Sequence, residues 1–333
     1  MLAIDIGSRK VCIAEGSYKG GAAAVTACAE IEYEGEIVTN GAIEDRSALS
    51  FLINEIIKTN KMSSKAAVVT LYSSDIVARD FRLPDVKPPQ LKLLVQNEMA
   101  RIVGEDSGFL FDYIVTGAGE DKLLDVTAYA VATEMVEDYY KLISDLKLTP
   151  FALDVQANSL AKLLSGTTIN GRPNTQGNVI VADIGYSKIS FHGFSDGAPR
   201  FNRTDVSPMQ EFVREIGSIS RADVTAELMS KLDLSPDAEH ESLILADTCK
   251  YFVYRLSEEF QRYVQYTHMN SEVKTVEKIY ICGGTACIKG LDAALTELLR
   301  VPVETVRNVG KLILPASLSA AKVLGAAGAL IRN

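Results

Sequence analysis

Apolar positions at the start of the chain fall in short runs. Leu2 to Ile6, Val11 to Ala14 and Ala23 to Ile31 each read as a strand, with Gly20-Gly21 punctuating the meander. Between Arg46 and Asn60 the period lengthens. Leu49, Leu52, Ile53, Ile56 and Ile57 recur at three and four, which predicts an amphipathic helix, and Ala66 to Leu71 follows as a buried strand. The opening is therefore a βββαβ unit.

A second, self-contained pattern comes next. Val77, Phe81 and Leu83 predict a strand, and Pro88-Pro89 opens a helix striped by Leu91, Leu94, Val95, Met99, Ile102 and Val103. Phe109 to Val115 and Leu123 to Val131 read as strands turned through Gly117, Gly119, Glu120 and Asp121, with Met135 to Leu148 as a second amphipathic helix. These elements predict an inserted subdomain over 75–150 whose helical stripe packs on its own sheet.

Leu153 to Leu164 reads as helix, and the polar stretch Ser165 to Asn178, with Gly166, Gly171, Pro173 and Gly177, as a linker. The opening theme then returns. Strands are expected at Val179 to Asp183, Lys188 to Phe194 and Pro199 to Thr204, a long helical region from Asp223 to Met269, a strand at Lys278 to Cys282, a helix at Leu291 to Leu299, and a last apolar pattern from Ser317 to Ile331. The repeat predicts an internal duplication of a β-rich unit with crossing helices, visible at motif level.

Length and composition agree with that duplication. At 333 residues and 47% hydrophobic positions the chain has material for two cores. A net charge of −9 without clustered Lys and Arg argues against a nucleic-acid surface. Cys12, Cys28, Cys249, Cys282 and Cys287 are an odd set without metal-ligand spacing and read as buried thiols of a reducing cytosol. His192, His240 and His268 have no evident partners and are expected in structural roles. With neither a signal peptide nor a spanning segment in view, the expectation is a cytoplasmic protein.

The candidate chemistry lies in a motif that occurs twice. Ile4-Asp5-Ile6-Gly7-Ser8 is echoed at Ala182-Asp183-Ile184-Gly185-Tyr186, each copy between two apolar strands. A hairpin tip of this kind can bring backbone amides to phosphate oxygens while its carboxylate holds a hydrated Mg²⁺. An Asx-type turn that only stabilises the hairpin is the plainer alternative for either copy. Lys10 stands near enough to the first tip to offer phosphate a charge, though strand alternation can also send it to solvent.

This order of elements, with a Gly283-Gly284 turn inside Ile279 to Leu291, resembles the actin-like ATPase superfamily. Within it, Arg82 to Gln90, then Gln96-Asn97-Glu98-Met99-Ala100, Phe111-Asp112-Tyr113 and Phe151 to Ala157, are similar to the PilM proteins of type IV pilus assembly. The first tip, Asp5 to Cys12, is equally similar to the cell-division protein FtsA, but the amphipathic tail of FtsA has no counterpart after Ile331.

The resemblance implies a duplicated α/β, ribonuclease H-like fold of two lobes, 1–74 with 151–165 and 315–333 in the first and 178–314 in the second, with ATP and Mg²⁺ in the cleft between them and the metal held by Asp5 and Asp183 mainly through water. It assigns nucleotide contacts to Asp5, Gly7, Ser8, Arg9 and Lys10, to Asp183, Gly185, Tyr186, Ser187 and Lys188, and to Gly283, Gly284 and Thr285. Asp154 and Gln156 stand where the superfamily carries a catalytic, water-orienting side chain, although helix capping is the commoner use of such residues. Bulky Tyr186, and the lack of paired glycines in Asp205 to Phe212, imply at most slow hydrolysis.

The implied partner is a PilN-like bitopic membrane protein, gripped by its cytoplasmic N-terminal peptide. That would place the chain at the inner face of the membrane without direct insertion, and self-association is a further implied property. A division filament protein like FtsA, or a small-molecule kinase with Asp154 as its base, are the alternatives.

Overall fold

The computed structural model describes residues 1–104, 108–118, 122–221, 226–269 and 275–332. The expected turn residues Gly119, Glu120 and Asp121, the predicted helix start at Asp223 and the side chain of His268 lie outside the described set.

The first lobe is built on a six-stranded sheet ordered Thr149–Val155, Ala66–Leu71, Leu2–Ile6, Lys10–Lys19, Ala22–Glu32, Leu312–Ile313. The second is built on five strands, Ala198–Val206, Lys188–Ser195, Asn178–Ile184, Val276–Cys282 and Val303–Thr305. In each sheet the strand ending in the Asp-bearing tip pairs antiparallel with the strand that follows it and parallel with one from later in its lobe. Register makes the duplication concrete. Asp5 lies opposite Cys12 and Thr70, as Asp183 lies opposite Ser190 and Cys282.

Helices cover the outer faces. Leu49, Ile53 and Ile56 of helix Arg46–Thr59 pack under the first sheet, and Phe212, Phe252, Leu256 and Phe260 fill the second lobe. Between the sheets runs a third core formed with helices Gln156–Leu164 and Ala320–Ala329. The last helix is buried except at Lys322 and is rich in alanine and glycine. A Cβ on Gly328 would stand 2.2 Å from the Ser159 carbonyl oxygen, and Ser159 Oγ donates to the Gly325 carbonyl at 2.7 Å. Small residues thus let two helices meet along the interlobe seam.

Several expectations need correction. Thr149–Val155 is a strand and the helix begins only at Gln156, because the segment pairs in parallel with Ala66–Leu71 at the edge of the sheet. The insertion has its own core, with Leu91, Val95 and Met99 against Leu83, Val126, Ala128 and Ala130, as its stripe predicted. Its expected second helix, Thr133–Asp145, instead buries Tyr139, Leu142 and Ile143 in the first lobe, so the separately cored part ends at Ala132.

The expected linker is a packed hairpin, Thr168–Ile169 against Arg172–Pro173, with Ile169 and Asn174 buried. Asn174 supplies what a flexible linker lacks. Its side chain accepts from the Thr167 amide and donates to the Leu164 carbonyl. The long helical region divides into Ala226–Lys231 and Leu243–Met269, with Pro236 in the gap. Helix Met209–Ser220 was not anticipated, although Met209, Phe212, Val213 and Ile216 repeat at helical spacing.

Candidate functional site: a cleft between two hairpin tips

The two tips fold alike. The Gly7 amide donates to the Lys10 carbonyl at 2.8 Å and the Gly185 amide to the Lys188 carbonyl at 2.9 Å, closing each turn. Those two amides are therefore used within the protein. The groups a phosphate can meet are the following amides, at Ser8, Arg9, Tyr186 and Ser187. Tyr33 steadies the first tip from behind by donating to the Gly7 carbonyl.

The tips face each other across a cleft of about 300 Å³. Ser8 Oγ and Ser187 Oγ are hydrogen bonded at 2.7 Å, and Arg9 Nη1 donates to Tyr186 Oη at 3.3 Å with its guanidinium 4.7 Å from the ring centre. Tyr186 is thus held by Arg9 across the cleft. Beneath this contact stand the carboxylates. Asp5 accepts from Thr70 Oγ1 at 2.6 Å, and Asp183 from Gln156 Nε2 at 3.0 Å.

Each carboxylate is backed by a glycine. A Cβ on Gly325 would stand 2.4 Å from Asp5 Oδ2, and one on Gly283 would stand 2.4 Å from Asp183 Oδ1. Gly283 also needs its φ of +89°, and its amide donates to the Ala321 carbonyl at 2.8 Å. Its requirement is therefore the carboxylate beside it and the turn it makes. Gly284 lines the cleft, 3.8 Å from Lys10 Nζ at its Cβ position, and Thr285 Oγ1 reaches the Gly185 carbonyl at 3.5 Å.

Charge is concentrated here. Burial, with Asp5 adding like charge, pushes the Asp183 carboxyl above its ordinary range. Burial also pulls Lys188 down to about 7 against the opposing pull of Asp183 and Asp5. Lys10 is buried too, which lowers its affinity for a proton. Its 2.8 Å pair with Glu30 outweighs this and leaves the pKa raised. The other Glu30 oxygen takes Lys322 Nζ at 2.8 Å.

Two carboxylates and no third ligand suit a magnesium ion that keeps most of its shell as water and phosphate oxygen. Among the described residues no group of three or more His, Cys, Asp or Glu side chains forms a protein-only metal cage. Met209, Val213, Met229 and Ile288 add an apolar wall from the second lobe, fit for the flat face of a base.

The structure brings all but one of the expected site residues to this cleft. The exception is Asp154, whose carboxylate is buried and taken by Lys162 at 2.7 Å, Arg332 at 2.9 Å and Asn158 at 2.8 Å, so it neither faces the cleft nor orients water there. Helix capping is also excluded for both candidates. The N-cap is Val155, without a side-chain bond, and Gln156 instead lines the cleft. Thr70, Tyr72, Glu30, Lys322 and Gly325 were not anticipated. Of these only Gly325 left a local trace, the Gly325-Ala326-Ala327-Gly328 run that signals close helix packing.

His192 has the structural place expected of it. Buried, it hydrogen bonds Asn202 at 2.9 Å, and burial pulls it from 6.5 down to about 3. Between those values the unfolded chain takes up a proton that the folded protein refuses, so stability is full above 6.5 and lost on acidification. Urea titrations from pH 7 to about pH 5, above the main carboxylate range, should show this fall. A His192→Gln variant should show a flatter profile; an identical slope would refute the assignment.

Two lobes of repeated topology, clasped around paired Asp-bearing hairpins, define a protein with the actin-like ATPase fold. Solved structures agree. The chain superposes with a TM-score of 0.77 on a structure described as the PilM-PilN type IV pilus biogenesis complex, at 18% identity over 99% of this chain and 97% of the other. The ethanolamine utilization protein EutJ of Carboxydothermus hydrogenoformans follows at TM-score 0.56, 11% identity, 99% and 88% coverage. MreB5 of Spiroplasma citri, solved with ADP, matches at TM-score 0.50, 12% identity, 98% and 94% coverage. Residues 3–326 match the family described as type IV pilus assembly protein PilM, and the chain belongs to that family.

Proposed function

We propose that this protein is a nucleotide-dependent scaffold of the type IV pilus assembly platform. ATP with Mg²⁺ is held between its hairpin tips, and the cytoplasmic tail of a PilN-like membrane partner is held at the insertion. The observation that carries the nucleotide half is the pair of carboxylates, Asp5 and Asp183, each backed by a glycine and both lining one cleft. Triphosphate oxygens would take the free amides of both tips, so that nucleotide closes one lobe on the other. The base would lie on the apolar wall.

The partner half rests on family membership and on the resemblance to the PilM-PilN complex. Among the described residues no helix is long and apolar enough to cross a membrane, so a membrane-anchored partner would supply the attachment. The kinase alternative has lost its base, because Asp154 is locked in ion pairs away from the cleft.

A fluorescent ATP analogue is expected to bind saturably with Mg²⁺ and to lose affinity on Asp5→Ala. A short peptide copying the cytoplasmic tail of a PilN-like protein from the same organism is expected to be retained by the immobilised chain. Metal-independent or absent nucleotide binding would defeat the first half, and failure to retain the peptide the second.

A further inference from the structure

Each tip carries a lysine at the same offset, Lys10 five residues after Asp5 and Lys188 five after Asp183. Their surroundings differ. Lys10 is neutralised by Glu30 at 2.8 Å. Lys188 makes no carboxylate ion pair among the described residues: its Nζ donates to Gln156 Oε1 at 2.6 Å and lies 3.1 Å from the centre of the Tyr72 ring. Gln156 is engaged at its other end by Asp183, and Tyr72 reaches across the lobes to Thr204. Arg9, the remaining cation of the tips, is stacked on Tyr186 and paired with Glu34 at 3.7 Å.

A carbonyl oxygen and a ring face are weaker partners for an amine than a phosphate oxygen, which forms a charge-assisted bond. Tip amides contact phosphates by position and do not count them. Asp5, Asp183, Gln156 and Lys188 line the same cleft as the apolar wall, and with the base on that wall the terminal phosphate would fall among them. We propose that Lys188 is the residue by which this cleft distinguishes a nucleoside triphosphate from a diphosphate, leaving the Tyr72 ring and Gln156 for the terminal phosphate. The inference rests on the nucleotide reading of the cleft. It also gives Gln156 two states, since its carbonyl is released only when a triphosphate draws Lys188 away.

The test is calorimetric titration of the full chain with Mg-AMPPNP and with Mg-ADP, for the wild type and for Lys188→Met. The wild type is expected to prefer the triphosphate. The variant should lose roughly tenfold in AMPPNP affinity while ADP affinity changes by less than about twofold. Equal loss for both ligands would make Lys188 a structural residue and overturn the proposal, as would an unchanged AMPPNP affinity. Wild type that binds neither nucleotide would instead overturn the reading of the cleft, and the proposal with it. Lys188→Met also takes a compensating charge away from Asp183 and a donor from Gln156, so the variant is expected to melt lower than wild type. Should it fail to fold, Lys188→Gln gives the same comparison.

Discussion

Replacing Gly283 with valine is expected to remove about 3–5 kcal/mol of folding stability and to abolish nucleotide binding. Two independent penalties combine. The residue sits at φ +89°, a conformation a β-branched side chain rarely adopts. A Cβ there would also stand 2.4 Å from Asp183 Oδ1 and 2.6 Å from the Ile184 carbonyl oxygen. The second neighbour is backbone and cannot swing away. Relief must come from moving the Asp183 tip, which displaces the carboxylate on which the cleft depends. Chemical denaturation measures the first effect, and titration with a fluorescent ATP analogue the second. A variant as stable as wild type would show that the turn tolerates a side chain and that the glycine serves another purpose.

Asp183→Asn should separate stability from function. Burial and the neighbouring Asp5 both penalise the ionised Asp183 carboxylate, so its folded-state pKa lies above the unfolded value. For an acid shifted this way, stability is present below the unfolded pKa and is lost as the pH rises through the folded one. Ionising Asp183 therefore costs the folded protein stability. Asparagine removes that charge and keeps an oxygen for the Gln156 amide, so the empty variant should melt about 2 °C higher or more. The same change takes away half of the carboxylate pair that would hold hydrated magnesium, and Mg-nucleotide affinity should fall by about 10–100-fold. Opposite movement of the two readouts identifies a residue retained for binding at the expense of stability. Parallel loss of both would mean that Asp183 is a structural carboxylate.

The tips were legible in the sequence because their chemistry is local: a strand, a carboxylate, a glycine and a returning strand lie within a few residues. Their supports were not, because they come from distant strands and helices. Thr70 reaches Asp5 only because Ala66–Leu71 pairs in parallel with Leu2–Ile6, and Lys322 meets Glu30 only because the last helix runs through the seam between the lobes. Asp154 shows the converse. Placed beside Gln156 by sequence, it lies in the strand that precedes the helix, and Lys162 and Arg332 hold it there. Helix Met209–Ser220 is a different case, since its stripe was present in the sequence and only its position next to the cleft depended on the fold.

The account turns on whether a metal-bound nucleotide lies between the two tips. A crystal grown with saturating Mg-AMPPNP should show the phosphates against the Ser8 and Ser187 amides, a magnesium ion between Asp5 and Asp183, and the hydroxyl contact between Ser8 and Ser187 opened. Tips still joined, with the cleft empty at saturating ligand, would contradict it.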